Sequence, residues 1–154
     1  MLSQPQSLSM TALAGIGDIL PGDDLADVLV KAIRSNDIVL KDGDILVIAH
    51  KVVSKAEGQV VSLNGIEPRE EARQLAAELN KDPRKIEVIL RESRRVVRAF
   101  KHPQQAEGIL IAEHRLGFIC ANAAVDESNV GEENTVILLP KDPDNSARMI
   151  CAAL

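Results

Sequence analysis

The segment Ile109-Leu110-Ile111-Ala112-Glu113-His114-Arg115-Leu116-Gly117-Phe118-Ile119-Cys120 decides the fold. Two short apolar runs, Ile109 to Ala112 and Phe118 to Cys120, flank a polar, glycine-bearing turn. That arrangement predicts two paired strands joined through Glu113–Gly117. A hairpin in mid-chain breaks the regular strand–helix alternation of a doubly wound sheet. The expected class is therefore α+β, a mixed sheet with helices packed on it and irregular strand/helix alternation. The sequence holds neither GxGxxG nor GxxxxGK[ST], so no Rossmann site and no P-loop is encoded.

Outward from the hairpin, local signals mark the other elements. Pro21-Gly22-Asp23-Asp24 reads as a turn and N-cap, and Leu25, Val28, Leu29 and Ala32 then recur at helical spacing. After a turn at Asp42-Gly43-Asp44, the continuous apolar run Ile45 to Ala49 reads as a strand buried on both faces, with Val52 and Val53 extending or following it. Asn64-Gly65 is a turn. Pro68 to Leu79 reads as a helix, and Asp82-Pro83 opens another with inner stripe Ile86, Ile89, Leu90 and Ser93. Residues 95–100 read as a strand, and Thr135 to Leu139 as a buried one. Pro140 to Asp144 forms a turn and cap before a last helix, from Asn145 to Leu154. Residues 1–10 are expected to be a loose tail and 11–154 a single domain.

Composition narrows the function. The chain has 154 residues, 45% of them hydrophobic but only 1% aromatic, so its core must be aliphatic. With Phe100 and Phe118 as the sole aromatics, the stacking platforms of single-stranded nucleic-acid binders are missing. Lys+Arg total 18 against 23 Asp+Glu, a net charge of -5, which offers no basic field for a nucleic-acid backbone. The basic strip Arg91, Arg94, Arg95, Arg98 and Lys101 reads as a solvated helix face. Cys120 and Cys151 form no metal motif and read as reduced thiols, Cys120 in the core. No apolar run spans a bilayer, and the first ten residues do not form a signal peptide. A cytoplasmic protein without nucleic-acid or membrane partners is expected.

Two segments carry candidate chemistry. Cys120-Ala121-Asn122-Ala123-Ala124-Val125-Asp126-Glu127-Ser128-Asn129-Val130 gathers small and oxygen-bearing side chains where an apolar run ends. Asp126 and Asn129 could serve a hard cation, since Mg²⁺ often takes one or two protein oxygens and fills its shell with water and phosphate. Read alone, Asp126 is better accounted for as an Asx-turn or cap. Lys51-Val52-Val53-Ser54-Lys55-Ala56-Glu57-Gly58 places lysines and Ser54 just after the expected strand, where a phosphate could sit. Read alone, Lys51 and Lys55 are better accounted for as exposed loop lysines. His50 follows the strand, His102 reads as surface and His114 as part of the hairpin turn. The three are not spaced as zinc ligands. No catalytic residue is assigned.

Several segments, in order, resemble the coenzyme F-420:L-glutamate ligase family, also called the coenzyme F-420-0 gamma-glutamyl ligase family. They are Gly15-Ile16-Gly17-Asp18-Ile19, Pro21-Gly22-Asp23-Asp24-Leu25, Asp42-Gly43-Asp44-Ile45-Leu46-Val47, Val53-Ser54-Lys55-Ala56-Glu57-Gly58, Glu113 to Phe118, Asn122 to Val130, and Leu138 to Ala147. The resemblance runs from about Leu13 onward. It implies a GTP-dependent ligase that joins L-glutamate to the deazaflavin coenzyme precursor through an acyl phosphate. Mg²⁺ or Mn²⁺ is the implied cofactor, with a monovalent cation such as K⁺ assisting, and a homodimer is the implied state. By position, Ile16, Gly17, Asp18, Ile19, His50, Lys51 and Lys55 match GTP contacts, and Asp126 and Asn129 match metal ligands.

The chain departs from the family pattern in places. Gly17 stands where the family commonly has proline, and Ala124 where it often has glycine. Family members also continue past the position of Leu154 into a second half bearing further metal ligands, so this chain is expected to match the N-terminal part. The alternative expectation is a non-catalytic GTP- or deazaflavin-binding or dimerisation module.

Overall fold

The computed structural model describes residues 7–127 and 134–154. The elements run α1 (Leu25–Ser35), α2 (His50–Ala56), β1 (Val60–Ser62), α3 (Glu70–Leu79), α4 (Pro83–Glu92), β2 (Ser93–Phe100), β3 (Ile109–His114), β4 (Ile119–Ala121), β5 (Thr135–Ile137) and α5 (Pro143–Ala153). This is the expected α+β class. The strands divide between two small antiparallel sheets, β2-β3-β4 and β1-β5.

Three helices begin where an aspartate can satisfy orphan amides. Asp24 accepts from the Asp27 amide, Asp82 from the Arg84 amide and Asp142 from the Asn145 amide. Such caps are worth about 1 kcal/mol each. Pro83 and Pro143 occupy first-turn positions that need no amide donor. α3 starts at Glu70 rather than Pro68, and α5 at Pro143 rather than Asn145.

The hairpin forms as expected. β3 pairs with β4 in the register Ile111↔Ala121, Ala112↔Cys120, Glu113↔Ile119, and its other edge pairs with β2. One face of β3 presents Leu110, Ala112 and His114 to the interior, all fully buried. α3 and α4 pack over that face through Ala72, Ala76, Leu79, Ile86 and Ile89. Burying a leucine or isoleucine of this kind contributes about 1.5–3 kcal/mol. A second cluster is built on Ile19, Leu25 and Leu29, with Val52, Val53 and Ala56 packed against it.

β5 is buried at every position, as expected of the apolar run after Asn134. It pairs with β1 on one side, and on the other it bridges to Asp126, whose amide donates to the Ile137 carbonyl at 3.0 Å and whose carbonyl accepts from Ile137 at 2.7 Å. The core therefore fixes the backbone on which Asp126 stands.

Several expectations are corrected. Ile45 to Ala49 is not a buried strand: Ile45 and Val47 are each 86% exposed, and the segment joins no sheet among the described residues. Val52 and Val53 belong to α2. Ser93 opens β2 instead of completing the stripe of α4, whose Leu90 is only half-buried. Of the basic strip, only Arg91 is helical. Arg94, Arg95 and Arg98 lie on β2, where Arg94 and Arg95 pair with Glu113 and Arg98 sits 4.7 Å over the Phe100 ring. Cys120 is half-buried rather than core, and Cys151 is exposed; both are free thiols. His114 lies buried at the end of β3, not in the turn. Among the described residues no helix is long and apolar enough to cross a membrane.

Candidate active site

α2 carries three of the sequence-selected residues. His50 is its exposed first residue. Lys51 and Lys55 stand four apart and so share one face, one turn from each other. The expected loop is thus a helix. Ser54 does not join the lysines outside: it is fully buried, and its hydroxyl makes no hydrogen bond among the described residues. Val52, Val53 and Ala56 turn to the Ile19 cluster and anchor the helix.

The loop 16–19 reaches the same helix through its last residue. Ile19 is buried in that cluster, whereas Ile16, Gly17 and Asp18 are exposed. The loop continues into a turn in which Asp23 accepts from the Leu20 amide at 2.8 Å, and the Gly22 amide donates to the Ala56 carbonyl at 2.9 Å. The carboxyl end of α2 is held from elsewhere too. Glu57 accepts from the Lys141 amide at 3.2 Å and from the Ser146 hydroxyl, tying α5 to α2.

Asp126 approaches α2 from the opposite direction. Its carboxylate lies 2.7 Å from Lys51 Nζ, with both side chains about a third exposed. The structure therefore joins a residue selected as a phosphate contact to one selected as a metal ligand. The neighbouring Glu127 pairs with Lys85 at 2.7 Å. Asn129 lies outside the described residues.

The backbone before Asp126 is unusual. Asn122, Ala123 and Ala124 have φ of 52°, 47° and 57°, a run of left-handed residues. L-residues in that region cost roughly 1–2 kcal/mol each, and asparagine tolerates it best. Ala123 is fully buried in the main core and Val125 nearly so, which holds the turn in place. Strain of this kind concentrates where a site must be shaped. Asn122 Oδ1 is buried and has no hydrogen-bond partner among the described residues, a feature of the site that the sequence did not flag beyond its place in the quoted stretch.

Among the described residues no group of three His, Cys, Asp or Glu gathers to form a metal cage. Asp126 alone supplies a partly exposed carboxylate, which suits a Mg²⁺-type ion that takes few protein ligands and completes its shell with phosphate and water. It does not suit zinc, which takes three or four protein donors, nitrogen or sulfur among them. Two shallow surface clefts, one beside Arg69, Arg94 and Arg95 and one between α1 and α5, share no residue with this cluster.

The fold and this cluster define an α+β domain that brings lysines on a short helix to a carboxylate on a strained turn. The gamma-glutamyl ligase model, F420-0:Gamma-glutamyl ligase, matches residues 15–154, and the chain belongs to that family. It is 48% identical over 130 residues to the coenzyme F420:L-glutamate ligase of Methanopyrus kandleri, covering 84% of this chain and 47% of that protein. It is 40% identical over 147 residues to the enzyme of the same name from Methanothermobacter thermautotrophicus, covering 96% of this chain and 56% of that one. The counterpart from Methanocaldococcus jannaschii is 42% identical over 111 residues, 72% of this chain and 41% of its own length. The chain spans about half the length of the curated relatives it matches.

Proposed function

We propose that this chain forms one side of the GTP and metal site of a ligase that joins L-glutamate to the deazaflavin coenzyme precursor. The observation that carries the reading is the meeting of Lys51 and Asp126 at 2.7 Å, two residues from segments far apart in the chain. Family membership supplies the substrate class.

In this reading the precursor's carboxylate oxygen attacks the γ-phosphorus of GTP. The bond to the β,γ-bridging oxygen breaks, and GDP leaves. The glutamate amine then attacks the acyl carbon of the mixed anhydride, phosphate departs with the former carboxylate oxygen, and the nitrogen gives up its proton as the amide forms. Such chemistry depends on positioning and on neutralising phosphate charge. Lys51 and Lys55, one turn apart on α2, supply positive charge toward the phosphates. Ile16 to Ile19 and His50 border the nucleotide. Asp126 and Asn129 are the residues that would hold Mg²⁺ or Mn²⁺. When bound, the ion would supply further charge neutralisation at the phosphates. A monovalent cation such as K⁺, a homodimeric state and a cytoplasmic setting belong to the same reading.

The test is a nucleotide titration followed by turnover. Calorimetry with GTP and Mn²⁺ should show binding that Lys55→Ala weakens by about tenfold, equivalent to about 1.4 kcal/mol. Unchanged affinity in that variant would remove Lys55 from the site. Incubation with GTP, Mn²⁺, precursor and glutamate should give product only when the remaining length of the ligase is also supplied. Robust turnover by the 154 residues alone would show that they hold the complete site.

A further inference from the structure

Residues 44–49 lie between the Asp42-Gly43 turn and α2. The turn is closed by the Asp44 amide donating to the Lys41 carbonyl at 3.0 Å and the Lys41 amide donating to Asp44 Oδ2 at 2.9 Å. Beyond it, among the described residues, the backbone amides and carbonyls of Ile45 to Ile48 have no backbone partner. The side chains nevertheless alternate as in a strand. Leu46 and Ile48 are half-buried against the Ile19 cluster, whereas Ile45 and Val47 are 86% exposed. A strand with one solvated face normally turns polar side chains outward. Here the outward residues are β-branched and apolar, on an unpaired backbone, the combination that recruits another strand.

We propose that Ile45–Ile48 is a docking edge, and that its occupant is a β-strand from the part of the ligase polypeptide that these 154 residues do not include. This chain covers only 47% of the M. kandleri relative, so a comparable length of ligase is available to supply that strand. Pairing here acts on the site. Ala49 is the N-cap of α2 and makes no side-chain capping bond, so the segment before it sets where His50 and Lys51 begin. Docking then couples assembly of the ligase to placement of its lysines. The inference rests on the reading above only in taking the missing polypeptide to be the ligase's own.

Amide hydrogen exchange, read by mass spectrometry on peptides spanning 44–50, tests it. Three samples are compared without nucleotide or metal: this chain alone, this chain joined to the part of the M. thermautotrophicus ligase that the match leaves out, and that intact ligase. Exchange should be fast in the chain alone and slower by about a hundredfold or more in the other two. Val47→Lys should leave the thermal midpoint of the chain alone unchanged, as expected at an exposed site, and abolish protection in the joined protein. If the joined protein does not fold, the intact ligase decides. Fast exchange there overturns the proposal. So does protection in the chain alone that grows with concentration, which would make a second copy the occupant. Because no ligand enters the measurement, failure of the GTP–metal reading leaves this result intact.

Discussion

Lys51 Nζ lies 2.7 Å from Asp126 Oδ2, and this contact joins α2 to the left-handed turn that precedes β5. Both side chains remain about a third exposed, so water screens the pair. An exposed ion pair contributes only about 0–1 kcal/mol to stability. Asp126 is held instead by its two backbone bonds to Ile137, which a side-chain change does not remove.

A separation of effects follows. Asp126→Asn should shift the thermal midpoint by no more than about 2–4 °C, the equivalent of about 1 kcal/mol in a chain of this size. The same substitution should weaken GDP–Mn²⁺ binding by about tenfold or more, and Lys51→Ala should behave alike. Calorimetry and thermal denaturation on the same samples check this. A large loss of stability with unchanged affinity would make the pair structural.

The turn before Asp126 gives a prediction of opposite sign. Ala124 holds φ at 57°, where a Cβ meets the following carbonyl and glycine does not. The family resemblance often places glycine at this position, and the backbone supplies the reason. Ala124→Gly should relieve about 1–2 kcal/mol of strain while adding about 0.5–1 kcal/mol of unfolded-state entropy. The net expectation is stabilisation by about 0.5–1 kcal/mol, read as a higher denaturation midpoint in urea. A lower midpoint would show that the turn is not strained in solution.

What was legible in the sequence was what short stretches decide. Asp24, Asp82 and Asp142 each announced a helix because capping needs only a side chain and amides within one turn. The β3–β4 hairpin was legible because its turn and both apolar runs are contiguous. α2 was not: seven residues give too short a period, and Val52 and Val53 favour strands locally, so tertiary packing against Ile19 decides their state. The run Ile45 to Ala49 misled for a related reason, since an apolar strand signal says nothing about whether a partner is present. Residues 95–100 were legible as a strand, but the basic residues around them also fitted a helix face, because the helix before them ends at Glu92 without a glycine or proline to mark it. At the site, residue types were readable in Lys51 and Asp126, but their meeting depends on β5 carrying Asp126 to α2, which no local spacing encodes.

Gly108 tests the packing that joins α3 to the sheet. Its amide donates to the Leu79 carbonyl at 2.7 Å, and a Cβ there would come 2.5 Å from Leu79 Cδ2 and 2.9 Å from the Phe100 carbonyl oxygen. Leu79 is 1% exposed and has little room to move. Gly108→Ala should therefore cost about 1–3 kcal/mol, the range for overpacking a core. Chemical denaturation measures it, and a neutral result would mean that the α3–β3 junction gives way easily.

Acid should act on two buried groups in sequence. His114 is fully buried, and its Nδ1 accepts from the Leu116 amide at 3.0 Å. Burial pushes its pKa below 6.5, although Glu92, 3.4 Å from Nε2, pulls the other way and Arg115 adds to the lowering. A base held neutral in the fold binds a proton more readily when unfolded, so its contribution is complete above about pH 6.5 and declines as pH falls through that value. Glu87 follows at lower pH. Burial alone would raise its carboxyl. The Arg69 amide at 3.0 Å, Arg91 Nε at 2.8 Å and the Arg69 guanidinium at 3.1 Å outweigh that and hold it at about 2, against 4.5 when free. Its contribution is present above 4.5 and lost between 4.5 and about 2. With both guanidiniums more than half exposed, the loss is on the order of 2–3 kcal/mol. Stability measured against pH should thus fall in two limbs, one beginning below pH 6.5 and another below 4.5. Glu87→Gln should be less stable at neutral pH and flatten only the lower limb. His114→Gln should flatten only the upper one, and a variant that leaves its limb intact would assign that limb to another group.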